Sequence, residues 1–159
     1  MADPFPSAPL VRDGVTIAAA PAAARYSLRT RTPARLPGIL ASAAFAGGHA
    51  LGLGPDEWLL ILPDGAPPPE ITGLHALTDI GHRNVAFMVE GAKAEALVQC
   101  GIALDLSLAA FPVGKVTRTL HEGTEIVLWR TGETAFRIEV WRSFAAHLLG
   151  ALEIVANDI

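Results

Sequence analysis

The sequence predicts an α+β fold in which mainly antiparallel sheets carry helices packed on one side. Short apolar strands outnumber helical segments, and three strands of the second half follow one another across tight turns before a long amphipathic helix. The order of strand, helix, strand and strand excludes a doubly wound nucleotide-binding fold, and no glycine-rich phosphate loop of either common spacing occurs. At 159 residues, the chain fits one compact domain with its own core.

The start of the chain, residues 1–12, is expected to be a flexible tail, because three prolines stand among the first nine residues. The apolar stretch from Val15 to Ala24 does not fit a secretory signal, since it follows acidic Asp13, contains Pro21 and lacks a cationic region before it. We therefore expect residues 13–159 to form a single domain.

Strands and one short helix are predicted in the first half. Asp13 to Ala19 and Tyr26 to Arg31 have the composition of strands, and the segment from Pro33 to Ala43 is a helix candidate led by a proline. The turn that follows contains four glycines between residues 47 and 54. Glu57 to Leu62 is a strongly apolar strand that ends at Pro63.

A boundary between two halves is predicted near residues 63–70. Three consecutive prolines, Pro67 to Pro69, interrupt regular structure there, because proline lacks an amide hydrogen and fixes its own φ. We expect the two halves to share one core.

The second half begins with a strand and a compact helix. Apolar residues alternate from Asn84 to Glu90, which is typical of a half-buried strand, and Gly91 then turns the chain. Ala92 to Cys100 is a predicted helix, and Gly101 stands where a left-handed cap would close it.

An antiparallel meander and a final helix complete the chain. The turns of the meander are expected at Glu122-Gly123 and Gly132-Glu133. Its three strands are Val113 to Leu120, Glu125 to Thr131 and Ala135 to Trp141. Ser143 is a candidate N-cap for a helix that runs through Asn157. An apolar stripe at helical spacing should lie on the sheet: Phe144, Leu148, Leu152 and Val155.

The second hairpin of the meander leads to a prediction about register. With Gly132 and Glu133 as its two central residues, Trp129 pairs with Phe136 and Val127 with Ile138, on a face buried beneath the final helix. The opposite face then carries a mixture of aliphatic and charged groups: Ile126, Leu128, Arg130, Arg137 and Glu139.

That mixed face has two interpretations. It is an amphipathic face exposed to solvent or covered by the first half, or it is an interface that a partner protein covers. If the face is free in the isolated fold, Arg130 and Arg137, beside Ile126 and Leu128, are the predicted docking residues, because the arginine fork binds carboxylates while its stem packs.

Charge and metal-ligand content exclude two classes of function. A net charge of −4 without a basic helix argues against nucleic-acid binding, which needs clustered Lys and Arg. The five histidines lack the spacings that place two ligands on one face, so no metal site is predicted. The single cysteine, Cys100, cannot form an intrachain disulfide, which suits a reducing cytoplasm.

Several short sequence segments, in the right order across residues 50–157, resemble segments of the gamma subunit of heterotetrameric sarcosine oxidase. They include the runs Asp79 to Ala86, Leu104 to Leu106, Phe111 to Gly114, Leu128 to Gly132 and Glu139 to Phe144, with Leu53 to Leu59 in the first half. One departure is Gly81, where serine is expected.

The resemblance implies a cytoplasmic, non-catalytic subunit, with no catalytic, cofactor-binding or metal-binding residues of its own. Its partners would be the larger alpha and beta subunits and a small delta subunit. The complex would carry out the oxidative demethylation of sarcosine in one-carbon metabolism. FAD, FMN, NAD and tetrahydrofolate would be bound by the partner subunits. The implied fold is similar to the folate-binding domain of the aminomethyltransferase of glycine cleavage.

Two other functions are considered. A stand-alone folate-binding protein that transfers a one-carbon group would use a carboxylate to hold the substrate amine. The aminomethyltransferase's paired aspartates align with Val127 and Leu128, which cannot ionise, and nearby Glu125 lies two residues away, about 7 Å along a strand. A binding module would line a pocket with the three tryptophans, although aromatics at alternating strand positions usually belong to the core.

Overall fold

Two antiparallel sheets and two α-helices build the molecule in the computed structural model, which describes residues 8–32 and 35–159. The first half supplies these strands: β1 (Leu10–Arg12), β2 (Val15–Ala19), β3 (Ala23–Thr30), β4 (Ser42–Phe45), β5 (Gly48–Gly54) and β6 (Glu57–Pro63). The second half supplies these: β7 (His75–Asp79), β8 (Asn84–Glu90), β9 (Val116–His121), β10 (Thr124–Gly132) and β11 (Ala135–Trp141). The helices are α1 (Ala94–Gln99) and α2 (Ala145–Asp158), and a 3₁₀ turn, Arg142–Phe144, leads into α2.

Both sheets combine strands from both halves. The first sheet has the order β1-β2-β8-β11-β10-β9, and the second has the order β4-β5-β6-β3-β7. Because β1 and β2 join the first sheet while β7 joins the second, the chain crosses between the sheets twice. The predicted α+β class with mainly antiparallel sheets is confirmed.

The molecule is layered as helices, first sheet, second sheet and loops. The largest core lies between the first sheet and the helices, and includes Phe87, Phe136 and Leu148. A second cluster around Leu51, Leu59 and Val127 fills the space between the sheets. A third covers the outer face of the second sheet beneath the connecting loops. Apolar burial on both faces of each sheet explains why the strands are so rich in large aliphatic residues.

Two predictions for the first half are wrong. Part of the expected tail forms β1, which pairs with β2, and Leu10 packs on the main core; residues 1–7 lie outside the described part. The helix expected from Pro33 to Ala43 is not formed in residues 35–43, where Arg35 and Leu40 take positive φ values of 65° and 60°. Such left-handed residues break a right-handed helix. Pro33 itself lies outside the described residues.

The cap predicted at Gly101 is also wrong, because this residue does not have a positive φ. Its lack of a side chain serves packing instead. A Cβ atom at this position would lie 2.3 Å from the ring of His121, so only glycine lets the β9 end approach the end of α1.

The stripe on the final helix is partly confirmed. Leu148 and Leu152 are fully buried, but Ala145 and Ala156 complete the buried face and Phe144 is 48% exposed. Ser143 is not the N-cap of α2, because it lies within the 3₁₀ turn and Phe144 takes the N-cap position, with no side-chain capping bond.

The predicted register of the β10–β11 hairpin is wrong by one residue. Arg130 pairs with Phe136 and Leu128 with Ile138, while Gly132 pairs with Ala135. A bulge between Arg130 and Gly132 inserts one extra residue, so the side chains of β10 before the bulge lie on the opposite face from the predicted one, while those of β11 keep their predicted faces. Trp129 consequently faces the second sheet, and Phe136 faces the helices.

Candidate functional site

A cluster of three buried charges lies between the two sheets. Glu139 of β11 accepts a hydrogen bond at Oε2 from Nε of Arg25 on β3, with a distance of 2.7 Å. Its Oε1 accepts from Nε of Arg137 at 2.9 Å. Glu139 is 2% exposed, and both arginines are buried. The cluster therefore ties β11, an interior strand of the first sheet, to β3, the strand beside the edge strand β7 of the second sheet.

Strand alternation brings this cluster together. Arg137 and Glu139 are two residues apart on β11, so they share one face, while Phe136, Ile138 and Val140 point to the helices. Arg25 comes from the opposite sheet, where its neighbour in register is Ile61. Two guanidinium groups meet one carboxylate, which leaves an excess of one positive charge in the interior.

A cleft at one end of the sandwich carries a second ionic group. Glu57 receives hydrogen bonds from Arg118 and Arg29, the former from the other sheet. The hydrogen bond from Arg118 lowers the pKa of Glu57 despite partial burial, which acts in the opposite direction. The same bond raises the pKa of Arg118. Both groups therefore stay charged and join the sheets at this edge.

The four predicted docking residues lie inside the chain and on two faces. Arg130, Ile126 and Leu128 face the helices and are at most 1% exposed, whereas Arg137 faces the second sheet. The condition attached to the docking prediction, a face left free in the isolated fold, is therefore not met. The bulge explains the error, because it places Arg130 and Arg137 on opposite sides of the hairpin.

Arg130 has a structural environment of its own. Its Nη2 donates to Glu95 Oε2 on α1 at 2.8 Å and to the carbonyl oxygen of Leu106, and its guanidinium stacks 4.4 Å from the ring centre of Phe136. The side chain thus holds α1 and the following loop onto β10.

Within the described residues, His121 is buried, whereas the other four histidines are exposed. Neither ring nitrogen has a hydrogen-bond partner within the described residues. Burial lowers the pKa of His121, with Glu122 opposing and His147 reinforcing this effect. The described histidines, cysteine and carboxylates include no group of three that could hold a metal ion.

The positions considered for one-carbon transfer carry no carboxylate in a suitable place. Val127 and Leu128 are buried apolar residues on opposite faces of β10, and Glu125 is exposed. The tryptophans do not converge either: Trp58 and Trp141 contribute to the cleft, whereas Trp129 packs against His49 with ring centres 4.8 Å apart.

An aromatic patch is exposed where β11 ends. Trp141 and Phe144 are 41% and 48% exposed, with ring centres 6.4 Å apart. The Arg83 guanidinium lies 5.3 Å from the centre of the Trp141 ring. We call Arg83, Trp141 and Phe144 the aromatic patch.

The Arg25–Glu139 pair is not evident from the sequence. These residues are 114 positions apart, and neither strand has a local sequence feature that identifies its partner strand. The available signal was weaker: a glutamate and an arginine at alternate positions of an otherwise apolar strand, Ala135–Trp141, predict either an interface or a buried pair.

The layered two-sheet fold is shared with two solved structures. A solved structure of the glycine cleavage system aminomethyltransferase T from Bartonella henselae matches with a TM-score of 0.58 and 14% identity, over 87% of this chain and 45% of that one. A heterotetrameric sarcosine oxidase from Corynebacterium sp. U-96 matches with a TM-score of 0.79 and 22% identity, over 94% of this chain and 87% of that one.

The chain belongs to the sarcosine oxidase gamma subunit family, whose model matches residues 15–156. Sarcosine oxidase subunit gamma of Corynebacterium sp. strain P-1 is 29% identical over 122 residues, 70% of this chain and 60% of the relative. The subunit gamma of strain U-96 is 29% identical over 135 residues, 76% of this chain and 63% of the relative. The matches thus span somewhat less than two thirds of these relatives.

Proposed function

We propose that this chain is a non-catalytic structural subunit of a heterotetrameric sarcosine oxidase. In this role it assembles with larger alpha and beta subunits and a small delta subunit, in the cytoplasm. Those partners bind FAD, FMN, NAD and tetrahydrofolate and carry out the oxidative demethylation of sarcosine. The chain acts as a single domain whose two halves divide near 63–70, and β1 belongs to this domain as an edge strand of the first sheet.

The family match carries this proposal. It runs from residue 15 to 156 and so includes strands of both sheets and both helices. No described helix is long and apolar enough to cross a bilayer.

The charges of the interior support a structural role. Glu139 is the buried carboxylate of the described residues, and arginine nitrogens occupy both of its oxygens. With both oxygens already accepting hydrogen bonds from buried arginines, this carboxylate is held by the protein itself and ties the two sheets together.

We further propose that a larger subunit covers the aromatic patch. Exposed aromatic residues beside arginine are enriched at protein interfaces.

Co-expression of the four subunits tests whether a partner covers the aromatic patch. The Trp141→Ala/Phe144→Ala variant should fold but fail to co-elute with the flavin-containing subunits. Leu74→Ala/Ile154→Ala, which truncates exposed aliphatics elsewhere, serves as the control and should co-elute normally.

The subunit role itself is tested by purification from the native host. A tagged chain should elute as a yellow complex with three other polypeptides in equal amounts by native mass spectrometry. A colourless chain that elutes alone would contradict the proposal.

The alternative is a stand-alone folate-binding protein that transfers a one-carbon group, favoured by the likeness in fold to aminomethyltransferase T. The isolated chain separates the two functions. Saturable binding of tetrahydrofolate with one-carbon transfer would favour the alternative, and their absence together with complex formation would favour the subunit role.

A further inference from the structure

A small cavity lies beside the buried ion cluster, where the chain passes from β2 to β3. The cavity measures about 200 Å³, enough for several waters or a small organic molecule. Its polar lining consists of Arg25, Asn84, Arg142 and Asp64, and we call it the arginine pocket. Its apolar wall is formed by residues 20–23 and by the start of β8.

Three of the four polar groups have hydrogen-bond donors without protein partners in the described chain. Arg25 uses Nε for Glu139 and Nη1 for the carbonyl oxygen of Ala23, which leaves Nη2. Arg142 uses only Nε, for the carbonyl oxygen of His82 at 3.2 Å. Asn84 accepts a bond from Arg83 at Oδ1, at 3.0 Å, so its amide nitrogen is left as a donor.

The charges in and behind the pocket favour an anion. Arg25 and Arg137 are buried against the single carboxylate of Glu139, and Arg142 adds a further positive charge at the wall. An uncompensated buried charge is costly, and an anion reaching Arg25 from the pocket would offset it. Guanidinium groups bind carboxylates with paired, charge-assisted hydrogen bonds.

Asp64 limits the charge of the ligand. It is exposed at the wall of the pocket and makes no ion pair with Arg25 or Arg142 within the described residues. Its negative charge disfavours a ligand with two negative charges. The alanine-rich wall leaves room for a short aliphatic group and offers it no hydrogen bonds.

We propose that the arginine pocket binds a small monocarboxylate through Arg25, Arg142 and Asn84. The carboxylate belongs either to a free solute or to an acidic side chain of a partner subunit, and both supply the same chemistry.

Titration of the full isolated chain with sodium acetate, against sodium chloride at equal ionic strength, tests the binding. Side-chain NMR signals of Arg25, Arg142 and Asn84 should shift together and saturate. Arg142→Gln should weaken binding about tenfold or more, as expected for loss of a charge-assisted hydrogen bond. Arg29→Gln, on the same strand as Arg25 but outside the pocket, is the matched control and should bind like the unaltered chain.

Shifts that do not saturate, or that are equal in the Arg142→Gln chain, would overturn the proposal. The backbone amide spectrum of each variant shows whether it is folded. Should Arg142→Gln prove unfolded, Arg142→Lys replaces it, since it keeps the charge and removes the planar fork; unchanged acetate affinity in that folded variant would also overturn the proposal.

An experiment on the assembled oxidase distinguishes the two sources of carboxylate. This experiment rests on the proposed function, because it requires the complex to form. Saturation-transfer NMR of the acetate methyl group would compare complexes containing unaltered and Arg142→Gln chains. A signal that depends on Arg142 identifies a free solute as the ligand. Loss of that dependence, with binding retained in the isolated chain, identifies a carboxylate of the partner. Failure to form a complex would contradict the proposed function alone, because the titration of the isolated chain does not require assembly.

Discussion

Glu139 is central to the contact between the two sheets. It is the counter-charge for two buried arginines, and removing it leaves both guanidinium groups without a carboxylate. Loss of one member of a buried ion pair is strongly destabilising, because the remaining charge stays desolvated.

Glu139→Ala should therefore lower the free energy of unfolding by about 3–5 kcal/mol. Urea denaturation measures this change. Asp56→Ala, which removes the exposed partner of Arg29, is the control and should cost less than about 1 kcal/mol. Equal effects of the two substitutions would show that the buried cluster contributes little.

His121 leads to a prediction about pH. Its pKa is lowered in the folded chain, chiefly by burial, so the unfolded chain binds more protons as the pH falls below the ordinary histidine pKa of about 6.5. The stability contributed by neutral His121 is fully present above that pH and is lost as the pH falls toward its folded pKa.

Urea denaturation between pH 7 and pH 5 should show stability falling with pH in the unaltered chain and falling less in His121→Phe. The phenylalanine ring keeps a flat group beside Gly101 and cannot titrate. His82→Gln removes an exposed histidine and should retain the full pH dependence. If His121→Phe also retains the full pH dependence of stability, His121 is not its source.

At the scale of elements, α2 packs on the first sheet through one face. Leu148 and Leu152 are completely buried, whereas Ile154 is 67% exposed and Phe144 is 48% exposed. The sequence pattern assigned Phe144 to the buried stripe, but the 3₁₀ turn before α2 rotates it outward.

Leu152→Ala should lower the free energy of unfolding by about 2–5 kcal/mol, because it leaves a cavity beneath the helix. Ile154→Ala and Phe144→Ala should each change it by less than about 0.5 kcal/mol. Thermal and urea unfolding provide the comparison. A large loss for Phe144→Ala would indicate that this residue packs on the sheet as the periodicity predicted.

At the scale of the molecule, the layers depend on buried arginines. Arg130 joins α1 to the first sheet, and Arg137 joins the cluster between the sheets. Neither is available to a partner in the isolated fold.

The Arg130→Glu/Arg137→Glu variant should therefore fail to fold, rather than fold and fail to assemble. Each substitution places a carboxylate in a buried position, and the carboxylate introduced in place of Arg137 would lie against Glu139. Circular dichroism of the isolated chain checks this outcome. Arg31→Glu/Arg35→Glu reverses two exposed charges and should retain the folded spectrum. A folded, cooperatively melting double variant at positions 130 and 137 would contradict burial of these two arginines in the layered packing.

Local patterns determined much of the architecture. Alternating apolar residues located β8 and β11, and the Glu122-Gly123 turn formed where predicted, with positive φ at both residues. These features depend on neighbours in sequence, because strand alternation and turn conformation are set by a few consecutive residues. The sequence segments that resemble the gamma subunit also sufficed to identify the family.

Tertiary structure alone decided the register of the last hairpin and the place of the charged residues. A bulge at one position changes the face of every residue beyond it, and no local pattern in β10 distinguishes the bulged from the regular strand. The partner of Glu139 comes from a strand 114 residues away, and the arginine pocket from four separate segments. Such contacts depend on how two sheets pack, because the free energy of burying a charge is decided by groups that meet only in the folded chain.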